Sequence, residues 1–180
     1  MRSAVKVLVA GVLATALTGA ATALAEVEPI SLWSLPFQKN VCDATIDGVA
    51  LQGDEADDTI TGTEDSDLLR GGGGDDAIDG QAGTNCLYGE LGGDRVLGGD
   101  GNDEIWGNTG RDRMLGGAGN DVLRAGPGRD RAKAGPGHDG VVAQGGGVDV
   151  VRCGPGFDRA IVDRKDAVSR SCERLFYFAR

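Results

Sequence analysis

Between Gly53 and Ile161 the chain repeats itself every nine residues, and this period constrains the fold more tightly than any other feature. Ten units run without interruption: GDEADDTIT, GTEDSDLLR, GGGGDDAID, GQAGTNCLY, GELGGDRVL, GGDGNDEIW, GNTGRDRML, GGAGNDVLR, AGPGRDRAK and AGPGHDGVV. One extra residue, Ala143, precedes QGGGVDVVR and CGPGFDRAI, which makes twelve units over residues 53–161. Position six is Asp in eleven of them, with Asn85 the exception, and position four is Gly in all but two, Ala56 and Asp65. Position eight is apolar throughout: Ile60, Leu69, Ile78, Leu87, Val96, Ile105, Met114, Leu123, Ala132, Val141, Val151 and Ala160. Thirty-two glycines in 180 residues would indicate disorder if they were scattered. Held in phase for a hundred residues, they indicate a solenoid.

Local geometry then sets the architecture. Positions seven to nine form a short strand whose central residue alone faces inward, because side chains alternate along β structure. The six preceding residues form a turn, and their glycines supply the backbone freedom that a tight turn needs. Two units close one 18-residue coil, and successive coils stack about 4.8 Å apart as parallel strands. The expected fold is all-β: a parallel β-roll of about six coils, roughly 29 Å long. Short caps are expected at residues 26–52 and 162–180, since a solenoid needs closed ends.

GGDGNDEIW and GGAGNDVLR resemble the GGxGxDxUx nonapeptide of the repeat-in-toxin (RTX) family, the hemolysin-type calcium-binding repeat. The resemblance covers residues 53–161 and is strongest in the middle. It implies that Ca2+ ions lie in the turns, with the position-six Asp and turn carbonyls of units i and i+2 sharing one ion. Calcium accepts six to eight hard oxygen ligands, carboxylates and backbone carbonyls among them. A cation would also relieve the repulsion of stacked like charges. On the edge formed by even units, the best-matched pair is Gly98, Gly99, Gly101 and Asp103 with Gly116, Gly117, Gly119 and Asp121, followed by Asp139. On the odd edge the candidates are Asp76, Asp94, Asp112 and Asp130. Asn85 interrupts the even edge, because a neutral amide binds calcium more weakly. The alternative is a metal-free solenoid whose Asp side chains cap turns, and it stays open above all for units one, two, eleven and twelve.

Outside the repeat, Arg2 and Lys6 precede an apolar run from Val7 to Ala20 and a small-residue site at Ala23–Ala25, the pattern of an export signal cleaved before Glu26. Ile30, Leu32, Trp33, Leu35 and Phe37 offer a cap for the first coil. Without Arg2 and Lys6 the chain has sixteen basic residues against twenty-eight acidic ones, a net charge of −12. That disfavours nucleic acid, whose binding relies on phosphate neutralisation, and suits cations. Behind an export signal, Cys42, Cys86, Cys153 and Cys172 are expected in disulfides. Cys153–Cys172 and Cys42–Cys86 would clip the last and first coils, and two other connectivities are possible. After an Asp-x-Val echo at Asp166–Val168, the spacing of Cys172, Leu175 and Phe176 suggests a short helix.

Two outward columns remain. Arg95, Arg113 and Arg131 share position seven, either neutralising Asp94, Asp112 and Asp130 or forming an anion-binding stripe. Tyr88, Trp106 and Arg124 share position nine, an arrangement suited to an aromatic and cation–π ladder. No enzyme is expected. His138 is the sole histidine, it sits at a variable turn position, and no catalytic set can be built around it. The expected function is that of a secreted structural protein completed by calcium outside the cell. The alternative is a calcium-scaffolded extracellular adhesion protein that binds a cell-surface glycan or polyanion.

Overall fold

A computed structural model describes residues 6–7, 42 and 46–178. Of the sequence expectations, the caps drawn from Ile30 to Phe37, the cleavage site and most of the apolar leader fall outside these residues. In chain order the strands are β1 Lys6–Val7, β2 Ala50–Gln52, β3 Thr59–Thr61, β4 Leu68–Gly73, β5 Ala77–Asp79, β6 Cys86–Leu91, β7 Arg95–Asp100 and β8 Glu104–Thr109. They continue with β9 Arg113–Ala118, β10 Val122–Arg124, β11 Arg131–Lys133, β12 Gly140–Ala143, β13 Val150–Arg152, β14 Arg159–Val162, β15 Ala167–Val168 and β16 Arg174–Tyr177. The even sheet has the order β1-β2-β4-β6-β8-β10-β12-β14-β16 and the odd sheet β15-β13-β11-β9-β7-β5-β3. Every pairing is parallel except β1 with β2. The architecture is the expected parallel β-roll, of about seven turns.

Each coil places position eight on position eight of the next. Leu69, Leu87, Ile105, Leu123 and Val141 stack in one sheet, and Ile60, Ile78, Val96, Met114 and Ala132 in the other. These residues form the core between the sheets, all at most 3% exposed. Position eight is not alone in facing inward, however. The position-six carboxyls are also buried, and so is position one, where Ala125, Ala134, Ala143, Cys153 and Val162 join the apolar core. A six-residue turn this tight folds its first and last side chains beneath itself, which a strand-only alternation does not anticipate.

The stack extends beyond the repeat at both ends. β2 pairs with β4 through Leu51 and Leu69, β15 with β13 through Val168 and Val151, and β16 with β14 through Leu175 and Ala160. The helix expected around Cys172–Phe176 is therefore a strand. An edge with open N–H and C=O groups on β14 makes strand addition the better use of that backbone. Ala143 is not the inserted residue either: it fills position one of its unit, buried and paired with Val162. Gly128 still bridges to Gly146 at the 18-residue spacing, whereas Arg131 pairs with Val150 at nineteen, so the extra residue is absorbed in the turn at 147–148. Both favoured disulfides are present, Cys42–Cys86 and Cys153–Cys172.

Glycine is required where coils touch. At Gly117 and Gly119, with φ of 125° and 132°, an added Cβ would lie 1.9 and 1.8 Å from the carbonyl oxygens of Gly99 and Gly101 in the coil before. Three units carry another residue at position two in the same left-handed region: Gln81 (φ 70°), Glu90 (φ 78°) and Asn108 (φ 66°). Such a conformation costs a side-chain-bearing residue about 1–2 kcal/mol. Gln81→Gly is accordingly expected to stabilise the roll by about 1 kcal/mol, read as a higher urea midpoint. An unchanged or lower midpoint would contradict the assigned turn geometry.

Candidate metal centre

The position-six side chains form two continuous ladders, one inside each edge of the roll. On the odd edge the backbone N–H of Asp58 donates to Oδ1 of Asp76 (2.8 Å), Asp76 to Asp94 (2.9 Å), Asp94 to Asp112 (3.0 Å) and Asp112 to Asp130 (2.9 Å). Asp149 and Asp166 continue it. On the even edge Asp67 donates to Asn85 (2.9 Å), Asn85 to Asp103 (2.8 Å), Asp103 to Asp121 (3.0 Å) and Asp121 to Asp139 (2.8 Å), with Asp158 and Glu173 completing the run. One oxygen of each carboxyl thus ties its coil to the preceding one.

The other oxygen is the unusual one. Oδ2 of Asp76, Asp94, Asp103, Asp112, Asp121, Asp130, Asp139 and Asp158 is buried without a hydrogen-bond partner among the described residues. A buried carboxylate oxygen left in this way is costly unless a cation meets it. Oδ2 hangs over the position-one residue of its own turn: a Cβ on Gly98 would lie 2.4 Å from Oδ2 of Asp103, and one on Gly116 2.4 Å from that of Asp121. Burial pushes Asp121 and Asp130 up to about 7 and Asp76, Asp94, Asp103 and Asp139 up to about 6. Asp112, Asp149 and Asp158 are raised for the same reason. The ladder N–H bonds offset part of this, and for most of these groups a neighbouring carboxylate adds to the rise.

Three units show what satisfies this position without a metal. In the first two, Oδ2 accepts the N–H of its own turn, Asp54 to Asp58 at 2.9 Å and Thr63 to Asp67 at 2.6 Å. In the fourth, the Asn85 amide nitrogen donates to the carbonyls of Ala82 (3.0 Å) and Gly80 (3.4 Å). In that turn the position-one and position-three carbonyls converge on the amide nitrogen that stands where Oδ2 stands in the other units. Carboxylate and main-chain oxygens of this kind are the hard donors that calcium prefers. Among the described residues no three His, Cys, Asp or Glu side chains converge on one point. A centre here would rest on carboxylates from stacked coils and on main-chain oxygens.

All the aspartates singled out from the sequence lie on these ladders, with Gly98, Gly99, Gly101, Gly116, Gly117 and Gly119 in the turns around Asp103 and Asp121. Asp158 of the twelfth unit, where the sequence leaves a metal-free turn open, has an equally unpartnered Oδ2, and its position-six register was the available signal. Sequence reading missed the cross-coil role of Asp149, Asp166 and Glu173. His138 proves to be a turn link: its N–H donates to Asn120 Oδ1 at 2.8 Å, and its Nδ1 accepts from Phe157 at 3.0 Å. Outside, Tyr88 stacks on Trp106 (centroids 6.1 Å apart), between Arg70 over Tyr88 at 4.5 Å and Arg124 over Trp106 at 4.6 Å. Arg70, at the same position nine, extends the expected ladder by one member.

Two outcomes follow. A carboxyl whose pKa is raised in the folded state binds more protons folded than unfolded between about pH 4 and 7, so stability falls as pH rises through that window. In chelator, the roll is expected to retain more β circular-dichroism signal near pH 5 than at pH 7.5, while the calcium midpoint rises as pH falls because protons compete for Oδ2. A β signal in chelator that grows from pH 5 to 7.5 would contradict this. Asn85→Asp is expected to increase the calcium bound per chain in equilibrium dialysis, and an unchanged stoichiometry would count against the site geometry.

The family model of the RTX calcium-binding nonapeptide repeat (4 copies) matches residues 52–85, 88–123 and 115–151. No curated protein matches the chain. The family match covers more than half of the sequence and holds every unpartnered carboxylate except Asp158. The chain belongs to the RTX calcium-binding nonapeptide repeat family.

Proposed function

We propose that this is a secreted structural protein whose roll is completed by calcium after export. The observation that carries the reading is the set of eight buried, unpartnered Oδ2 atoms inside two otherwise satisfied ladders. The residues that would hold the ions are Asp76, Asp94, Asp112 and Asp130 on one edge and Asp103, Asp121, Asp139 and Asp158 on the other, together with turn carbonyls. Bound there, calcium supplies positive charge to oxygens that burial and mutual repulsion otherwise drive to take up protons. Any ion that binds only the folded roll stabilises it by RT ln(1 + [Ca]/Kd) per site. Extracellular calcium modules work at about 10⁻⁴–10⁻³ M, far above cytoplasmic calcium, so the chain would stay unfolded until exported. The two disulfides fit the same oxidising setting. The reading assigns no catalysis to the chain, since its one histidine is held between neighbouring turns.

A second reading, a calcium scaffold for adhesion or for binding a glycan or polyanion, is favoured by a separate observation: exposed cations on the odd sheet without an ion-pair partner among the described residues.

Chelation is expected to remove most of the β circular-dichroism signal reversibly, leaving residual structure near the disulfides. Asp103→Ala and Asp121→Ala should raise the calcium midpoint more than Asp58→Ala, because Asp58 already spends Oδ2 on its own turn. A spectrum indifferent to chelator would overturn the calcium reading. Equal shifts for the three variants would overturn the assignment of sites.

A further inference from the structure

The outer face of the odd sheet carries a groove of about 370 Å3, lined in part by Arg95, Arg113, Arg131, Lys133 and Arg152 beside Leu97 and Leu115. The register stacks Arg95 on Arg113 on Arg131, and Leu97 on Leu115 on Lys133 on Arg152. All five cations are exposed. The ion pairs found among the described residues lie elsewhere: Arg70–Glu90, Arg124–Glu104 and Lys165–Asp163. Nor do the sequence-adjacent carboxylates neutralise the column. Asp94, Asp112 and Asp130 face the interior, each 1% exposed, with Oδ1 engaged in the ladder.

Like charges directly opposite one another destabilise the sheet that carries them. On the even sheet the comparable arginines, Arg70 and Arg124, are compensated by glutamates and aromatic rings. On the odd sheet no acid of the described chain does this, although the protein has a net charge of −10. The arrangement is a regular cationic strip on an acidic body, with one Arg per coil at about 4.8 Å intervals.

We propose that this groove binds a linear acidic polysaccharide lying along the roll axis, its sulfate or carboxylate groups on the Arg column and its sugar C–H faces on Leu97 and Leu115. The inference rests on the polyanion reading above and narrows it to one class of partner. The planar guanidinium fork matches sulfate and carboxylate oxygens. A strip of repeating charge suits a polymer with regular anions better than one compact anion. Single-stranded nucleic acid is bound through aromatic stacking platforms, and the groove lining contains no aromatic residue. Duplex DNA requires extensive phosphate neutralisation, which the acidic remainder of the chain opposes.

The test uses the calcium-loaded chain at fixed free calcium, with binding of labelled heparin followed by fluorescence anisotropy across a salt series. Neutral dextran, polyglutamate and single-stranded DNA serve as competitors. Heparin is expected to bind, with affinity falling as salt rises. Arg95→Gln/Arg113→Gln/Arg131→Gln and, independently, Lys133→Gln/Arg152→Gln should weaken it roughly tenfold or more. The charge-matched pair Arg111→Gln/Arg129→Gln, in the turns, should leave it unchanged. The calcium midpoint by circular dichroism reports whether each variant still folds, and if the triple variant does not, the Lys133/Arg152 pair decides against its control. No heparin binding, or equal weakening by the control pair, overturns the proposal. Polyglutamate or DNA competing as well as unlabelled heparin overturns the polysaccharide while sparing the wider polyanion reading, and no binding of labelled heparin, labelled polyglutamate or labelled DNA overturns both.

Discussion

One carboxyl group per nine residues governs this molecule, and its two oxygens have different fates. Oδ1 accepts a backbone N–H from the coil before, so each turn is pinned to the previous one from inside. Oδ2 lies over the first residue of its own turn, buried and unpartnered in the central coils. The first bond sets the spacing of the stack. The second oxygen creates an electrostatic cost that grows with every added coil, and a hard divalent cation among turn carbonyls relieves it. Stability and ion binding therefore arise from the same atoms.

Departures from the central pattern show how the chain manages without that relief. At the start of the roll, Asp58 and Asp67 cap their own turns, and the Asn85 amide donates to the carbonyls of Ala82 and Gly80. Farther on, alanine replaces the position-one glycine at 125 and 134, adding methyl groups to the core while Asp130 and Asp139 keep unpartnered oxygens. Near both ends a disulfide takes over part of the clamping, tying Cys42 to the fourth unit and Cys172 to the twelfth. Dependence on ions thus begins after the first two units and extends from Asp76 to Asp158.

The period made the coil, the sheets, the position-eight core and the Asp register legible before any coordinates, because each follows from spacing alone. What the sequence did not reveal depends on the path of the turn. Nothing in AGPGRD distinguishes an outward position one from the buried Ala125, and nothing in QGGGVD says that the spare residue sits after Gly146. The terminal strand at Arg174–Tyr177 escaped because its Glu173 stands in for Asp and its apolar residues permit a helical spacing as readily as a strand. Arg95, Arg113 and Arg131 were visible as a column, but their lack of partners required knowing that the adjacent aspartates turn inward.

The central claim is that the unpartnered carboxylate oxygens are cation ligands. Anomalous scattering from crystals grown in calcium tests it most directly. Peaks are expected between stacked turns on both edges, beside Oδ2 of Asp76 to Asp130 and of Asp103 to Asp158, and none beside Asp58, Asp67 or the Asn85 amide. Turns without peaks in those central coils, or ions confined to the exposed acids outside, would contradict the account.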